Sequence, residues 1–397
     1  MAQPFQAVQV SDHVYWVGVV DWSVRDFHGY LTSRGTTYNA FLILGEETLL
    51  VDTVKRPFKE EFFSRIGSVI DPAKIDYIIS NHSEMDHSGS LPETLEKVKP
   101  KKVYASKNGV KALREHFNYC GPLEEVKNGC QLTLGGLRLS FFETRLLHWP
   151  DSMVTYLKED GVLFSQDAFG MHLASSERYA DQMEDGVLYH EAAKYYANIL
   201  LPFSPLIQKF LKQLPELELD IQLLAPDHGP LWREDVTRPK KWYEGWASQT
   251  PTKKAVVVYD TMWESTEKMA RAVSEGLLAG GASVKVDKLR VAHRSDVATD
   301  ILDAGALVVG SPTLNNGLFP TLADCLCYLK GLKPKNLQTA AFGSYGWSGE
   351  AVSELERLLE EMGLETAAEA LKVQYVPDGE ALQNCFEWGK AIAEKLG

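Results

Sequence analysis

The chain carries the hexapeptide His82-Ser83-Glu84-Met85-Asp86-His87 and, far downstream, three residues of matching chemistry: His148 in LLHWPDS, Asp167 in LFSQDAFG and His228 in APDHGP. Together they supply four imidazoles and three carboxylates, enough for two metal ions, so a fold that uses them must bring separate segments to one point. The apolar run Tyr77-Ile78-Ile79 precedes the hexapeptide and the helix-like SLPETLEKV follows it. The motif is therefore expected in the turn leaving a strand, where closely spaced side chains converge. Imidazole with hard carboxylate oxygen and no thiolate suits iron or manganese, whereas zinc sites lean on His and Cys.

At 397 residues the chain has room for two domains with full cores. Its start, MAQPFQAVQVSDHVYW, has neither a basic segment nor a sustained apolar one, and no apolar run approaches about 18 residues. A soluble cytoplasmic protein that avoids membranes is the expectation. Five cysteines (Cys120, Cys130, Cys325, Cys327 and Cys385) are odd in number and scattered, with no C-x-x-C pair. That argues against a disulfide framework and against a thiolate metal site. Cys325 and Cys327 fall in an expected helix, facing different directions, and read as buried thiols. A net charge of -13 disfavours nucleic acid, and Lys240-Lys241 and Lys253-Lys254 are too short to count as basic patches.

To about residue 250 short strands are expected at VYWVGVV, YNAFLIL, ETLLVDT, DYIIS, KVYAS, LRLSFFET, VTYL and GVLFS, with helical stretches near 58–67, 108–117 and 189–213. Periodicity supports α mixed with β and no finer architecture. The segment 238–254 loses the pattern and carries Pro and Lys, which places a seam there. Beyond it, AVVVYDT, SVKVDKL, ALVVGSPT, TAAFGSYGW and ALKVQYV alternate with helical segments. That alternation predicts a doubly wound parallel sheet of α/β class.

Three loops leave the carboxyl ends of those strands, where ligands of such sheets bind. The first, Thr261-Met262-Trp263-Glu264-Ser265-Thr266, opens a helix. Its hydroxyls and free amides make a phosphate cradle that needs no basic residue. A monophosphate such as FMN fits, and a dinucleotide fits less well because no G-x-G-x-x-G opens the unit. The others are Ser311-Pro312-Thr313-Leu314-Asn315-Asn316-Gly317 and Gly343-Ser344-Tyr345-Gly346-Trp347-Ser348-Gly349. Any one of them reads equally well as a turn; three at corresponding strand ends point to FMN.

The hexapeptide resembles the H-x-H-x-D-H motif of the metallo-β-lactamase superfamily, with Glu84 where that motif has its second His. This replacement, the later His, Asp and His, and the flavodoxin-like second half are similar to the flavodiiron proteins, also called A-type flavoproteins or rubredoxin:oxygen oxidoreductases. The phrases DWSVRDFHGY, GTTYNAFL, HSEMDHSGSLP, LLHWPDSM, PDHGPLW, YDTMWESTEKMA, GSPTLNNGLFP and FGSYGWSGE carry the resemblance in order along essentially the whole chain.

The resemblance implies a metallo-β-lactamase-like αββα sandwich over residues 1–249 and a flavodoxin-like FMN domain over 253–397. It implies one iron on His82, Glu84 and His148, another on Asp86, His87 and His228, and a bridging Asp167. His87 is the least secure ligand, since adjacent Asp86 also binds and neighbouring side chains diverge. It carries the isoalloxazine sandwich to Trp263, Asn315, Asn316, Tyr345, Gly346 and Trp347. The implied activity is reduction of O2 to water, with NO reduction to N2O as a parallel or lesser activity. Two Fe(II) and one reduced FMN hold the four electrons that O2 requires. The implied donor is rubredoxin or a similar small carrier, a deazaflavin serving some relatives. A head-to-tail homodimer, or a dimer of dimers, is the implied assembly.

Of the other histidines, His13, His116, His190 and His293 read as surface or hydrogen-bonded residues, while His28 and His172 are candidates to line the metal pocket. Tyr195 and Tyr196 read as helix core, and Asp151 as either a partner of a ligand imidazole or a turn cap. Two rival functions remain from the residues themselves. A zinc hydrolase is opposed by Glu84. An electron-carrying flavoprotein with a structural metal is opposed by seven ligands where four close a structural site.

Overall fold

A computed structural model describes residues 3–119 and 121–396. The chain divides into two compact units, one of Met1–Phe27, Thr32–Tyr195 and Pro205–Glu244, the other of His28–Leu31, Tyr196–Ser204 and Gly245–Gly397.

In the first unit, one sheet runs in the order Val8–Gln9, Val14–Trp16, Phe41–Leu44, Thr48–Val51, Tyr77–Ser80, Lys102–Ala105, Leu123–Glu125. A second runs Cys130–Leu134, Leu137–Glu143, Met153–Leu157, Val162–Gln166, Leu223–Pro226. Alternation along the strands builds two cores. Ile43, Leu49 and Ile79 pack with Phe141, Leu157 and Phe164 of the second sheet. Their neighbours Leu42, Leu50 and Ile78 pack with Phe62, Ile66, Leu91 and Leu95 from the helices Lys59–Gly67 and Leu91–Val98. This is the expected sandwich. Continuous apolar runs such as Tyr77–Ser80 reflect burial on both faces.

The second unit is a parallel sheet ordered Ser283–Lys288, Lys254–Tyr259, Ala306–Pro312, Gln338–Tyr345, Glu365–Thr366, with Leu371–Gln374 also paired to Gln338–Tyr345. The order 2-1-3-4-5 is doubly wound, as expected. Val257, Val308 and Phe342 form a core with Met269, Val273 and Ile392 of the helices Ser265–Ala279 and Gly379–Ala393.

Several expectations are corrected. Met85–Ser88, within the hexapeptide, form one helical turn instead of open loop. The helix expected over 189–213 is Asp185–Tyr195, a π-helical turn Tyr196–Leu200 and a helix Ser204–Gln213, broken where Pro202 and Pro205 cannot donate. The patternless stretch holds the helix Arg238–Ser248, which buries Tyr243 and Trp246. Leu223–Pro226, absent from the expected strands, pairs in parallel with Val162–Gln166. Cys325 is buried but Cys327 is exposed, because residues two apart on a helix point to opposite sides. Cys120 lies outside the described residues.

Candidate functional site

Every sequence-predicted metal ligand leaves the end of a strand. His82, Glu84, Asp86 and His87 follow Tyr77–Ser80; His148 sits between Leu137–Glu143 and Met153–Leu157; Asp167 follows Val162–Gln166; His228 follows Leu223–Pro226. The structure brings all seven together, in two groups: His82, Glu84, His148 and Asp167, and Asp86, His87 and His228.

Asp167 faces both groups. Its Oδ2 lies 3.2 Å from His82 Nε2 and 3.0 Å from His148 Nε2, while Oδ1 lies 3.2 Å from His87 Nε2 and 3.5 Å from His228 Nε2. Glu84 Oε2 is 3.1 Å from His148 Nε2. Asp86 places Oδ1 3.4 Å from His87 Nε2 and Oδ2 3.2 Å from His228 Nε2. Two ligands about 2.1 Å from one cation stand roughly 3.0–3.4 Å apart, so these spacings suit donors sharing an ion.

The far sides of the His82 and His228 imidazoles are also anchored. His82 Nδ1 is 3.1 Å from Asp151 Oδ2, an oxygen that also accepts from the Ser83 amide at 2.6 Å and hydroxyl at 2.7 Å. His228 Nδ1 lies 2.6 Å from the Thr37 carbonyl, while Asp227 Oδ2 stands 3.5 Å from His87 Nδ1 without a hydrogen bond between them. Holding the proton on Nδ1 leaves the Nε2 lone pair for a metal. Of the two readings of Asp151, the structure shows the imidazole partner.

Burial raises the Asp167 carboxyl, but His87 and His82 together hold it well below the carboxylate range. Burial likewise raises Glu84, yet the His148 and His82 imidazoles beside it bring it down to about 2. The carboxylates are thus anionic and ready to neutralise cations. Nε2 of His82 and His87, both oxygens of Asp86 and Oδ1 of Asp167 are buried with no hydrogen-bond partner in the protein. Such orphans in one cluster are what an ion would satisfy. Of the ring ligands, His148 has the most exposed side chain, at 14%, which puts the solvent opening beside it.

His172, one of the two candidate pocket histidines, is buried with its ring centroid 4.6 Å from His228 and 5.1 Å from Tyr195. Its Nδ1 contacts Thr36 Oγ1 at 2.8 Å. Burial, then His228, depresses His172 far below the usual imidazole value, so it is neutral. His28 is exposed and falls in the other unit. Sequence reasoning missed Asp227, Thr36 and Thr37; only the adjacency of Asp227 to His228 could have flagged one of them.

In the second unit a cavity of about 360 Å3 opens at the strand ends. Thr261, Met262, Trp263, Ser265, Pro312, Thr313, Asn315, Asn316, Ser344, Tyr345, Gly346, Trp347 and Ser348 line it, with Tyr375 and Val376, which the sequence reading missed. Glu264, Thr266, Ser311, Leu314, Gly317 and Gly349 do not line it. Thr266 Oγ1 instead meets Ser344 Oγ at 2.8 Å, and Ser311 Oγ accepts from the Phe319 amide. Leu314 and Gly317 exchange backbone hydrogen bonds of 3.1 and 3.0 Å around Asn315 and Asn316, whose φ values of 51° and 60° define a type I′ turn.

Trp263 and Trp347 are 90% and 86% exposed, unusual for indoles unless they await a planar partner. The hydroxyls of Thr261 and Thr313 are buried without partners. A flat aromatic ligand with a phosphate tail fits this cavity in size and in donors. Among the described residues no helix is long and apolar enough to cross a membrane.

The family model described as ODP family beta lactamase matches residues 36–229, and the flavodoxin model matches 257–389. A nitric oxide reductase of Moorella thermoacetica is 47% identical over 400 residues, covering 100% of both chains. The solved rubredoxin oxygen:oxidoreductase from Desulfovibrio gigas superposes with a TM-score of 0.96 at 43% identity over 98% of each chain. The flavodiiron protein from Giardia intestinalis follows at TM-score 0.93 and 33% identity, over 98% of this chain and 96% of that one. With two metal-ready ligand groups in one half, an aromatic cavity at the strand ends of the other, and these full-length likenesses, the chain belongs to the flavodiiron protein family.

Proposed function

We propose that this protein reduces dioxygen to water at a non-haem diiron centre, with electrons relayed through FMN from rubredoxin or a similar small donor. His82, Glu84 and His148 hold one iron, Asp86, His87 and His228 the other, and Asp167 is shared. The observation that carries the reading is the Asp167 carboxylate divided between two imidazole and carboxylate groups, in a chain with a cavity lined by Trp263, Tyr345 and Trp347 at the strand ends of its second unit. When bound, two ferrous ions and a reduced flavin supply four electrons, the number O2 needs to become two waters.

The chain's own residues set the stage. Three carboxylates offset cationic charge, and imidazoles oriented through Asp151 and the Thr37 carbonyl fill neutral positions. Phe27 and Tyr38 rings lie 6.5 and 5.9 Å from His228 and keep bulk water off that side. Burial, with Asp167 nearby, pushes the Tyr195 phenol far above its ordinary value, so its hydroxyl keeps its proton.

Reduction of NO to N2O at the same centre is the second reading, favoured by the nitric oxide reductase at 47% identity. We assign residues 1–249 to the diiron domain and 253–397 to the FMN domain, the cavity-lining residues of the three loops contacting the flavin. A head-to-tail homodimer sets one chain's flavin beside the other's irons twice over by symmetry. Exposed Trp263 and Trp347 at the cavity, and Met85 on the metal loop, suit such an interface. The cytoplasm is the proposed compartment, consistent with unpaired thiols at Cys130, Cys325, Cys327 and Cys385.

The test is anaerobic: count iron, zinc and FMN per chain, reduce fully, then titrate with O2 and separately with NO while following flavin absorbance. Reoxidation by O2 without free peroxide supports the first reading; preferential NO consumption with N2O formed selects the second. Zinc in place of iron, with flavin indifferent to both gases, overturns both.

A further inference from the structure

Beneath the first flavin loop lies a charge pair. Asp260 is fully buried at the end of Lys254–Tyr259, immediately before the loop. Its Oδ1 accepts from the Thr261 amide at 2.7 Å and from Arg290 Nε at 3.1 Å, and its Oδ2 from the Thr321 hydroxyl at 2.7 Å. The loop 261–266 contains no Lys or Arg, and its one charged residue is Glu264. A carboxylate touching the first amide of a phosphate cradle should repel the phosphate. Arg290 is the cation bonded to that carboxylate, and its side chain is 53% exposed.

Resting on the FMN reading, we propose that Arg290 determines the preference for FMN over riboflavin without touching the ligand. Its guanidinium neutralises Asp260 and thereby makes the cradle at Thr261–Ser265 accept a dianion. Arg290 is a positioning residue, and its effect is electrostatic. The phosphate therefore feels it and the isoalloxazine does not. A buried carboxylate left without its cation at the start of an anion-binding loop is expected to cost on the order of a tenfold loss in phosphate affinity, and the loss grows as salt is lowered.

The flavin-depleted full-length chain is titrated with FMN and with riboflavin, following flavin fluorescence, in wild type, Arg290→Gln, Asp260→Asn and the double variant. Circular dichroism checks the fold of each. Arg290→Gln is expected to weaken FMN about tenfold and riboflavin less than about twofold. Asp260→Asn keeps an acceptor for the Thr261 amide while removing the charge, so it should bind FMN at least as well as wild type. The double variant should recover FMN affinity to within about twofold of wild type, because neither charge remains.

Equal loss of both flavins in Arg290→Gln would mark a merely structural prop and overturn the inference, as would unchanged FMN affinity or a double variant no better than Arg290→Gln. A wild type that binds neither flavin would instead overturn the FMN reading, and this inference with it.

Discussion

Asp151 fixes His82 from behind: one carboxylate oxygen meets the ring Nδ1 at 3.1 Å while Ser83 grips the same oxygen through both its amide and its hydroxyl. The carboxylate is therefore pinned before it pins the ring. Hydrogen bonds to a ligand imidazole are worth about 10–100-fold in metal affinity. Asp151→Asn should lower metal occupancy by one ion per chain after dialysis against a mild chelator, with the second group retaining its ion. Metal analysis of the dialysed protein checks this, and equal loss of both ions would show that Asp151 supports the fold more than His82.

The Asn315-Asn316 turn makes a separate prediction about the flavin. Both residues sit at positive φ, a conformation that costs a β-branched residue about 1–2 kcal/mol and suits Asn or Gly. Asn316→Gly should keep the turn and most of the FMN affinity. Asn316→Val should open it and weaken FMN by about tenfold, since ~1.4 kcal/mol is a factor of ten. Flavin titration compares the two; a Gly variant as weak as the Val variant would assign the effect to lost amide contacts.

Asp287 gives the second unit a pH dependence. Burial raises its carboxyl to about 7, with Asp300 and Asp296 adding to the rise and Lys285 opposing it. The unfolded chain ionises this group near pH 4, so the folded state holds the extra proton between about pH 4 and 7. Its favourable contribution is complete below that window and is lost as pH rises through 7. Asp287→Asn should therefore be more stable than wild type, by a Tm margin that widens by roughly a few degrees from pH 5 to pH 8. A margin independent of pH would place the carboxyl's titration elsewhere.

All seven residues that the structure gathers into the two candidate metal groups were legible in the sequence because their chemistry is rare outside such sites and because short apolar strands precede most of them. What supports them was not legible. The Thr37 carbonyl meets His228 across 191 positions, and a backbone oxygen leaves no mark in residue identity. Asp227 reads as part of a turn until its carboxylate is seen behind His87. On the flavin side, alternation of strand and helix located the three loops but could not say which side chains turn inward. Thr266 spends its hydroxyl on Ser344, whereas Tyr375, placed by the register of Leu371–Gln374 beside Gln338–Tyr345, reaches the cavity from a strand end that had no loop motif.

Gly170 ties two ligand-bearing segments together without being a ligand. A Cβ placed there would stand 3.0 Å from the His228 carbonyl oxygen and 3.1 Å from that of Asp167, both backbone atoms with little freedom to retreat. The Gly170 amide also donates to the Asp167 carbonyl at 3.1 Å, so the residue cannot swing away cheaply. Gly170→Ala should push the two ligand-bearing backbones apart by a few tenths of an ångström, and Gly170→Val by more. Because Asp167 serves both groups, both sites should loosen together, in contrast to the one-sided loss expected from Asp151→Asn. The expected result is a graded fall in metal retained per chain, Ala above Val, with flavin content unchanged. Full retention in the valine variant would mean that these backbones yield more easily than their packing implies.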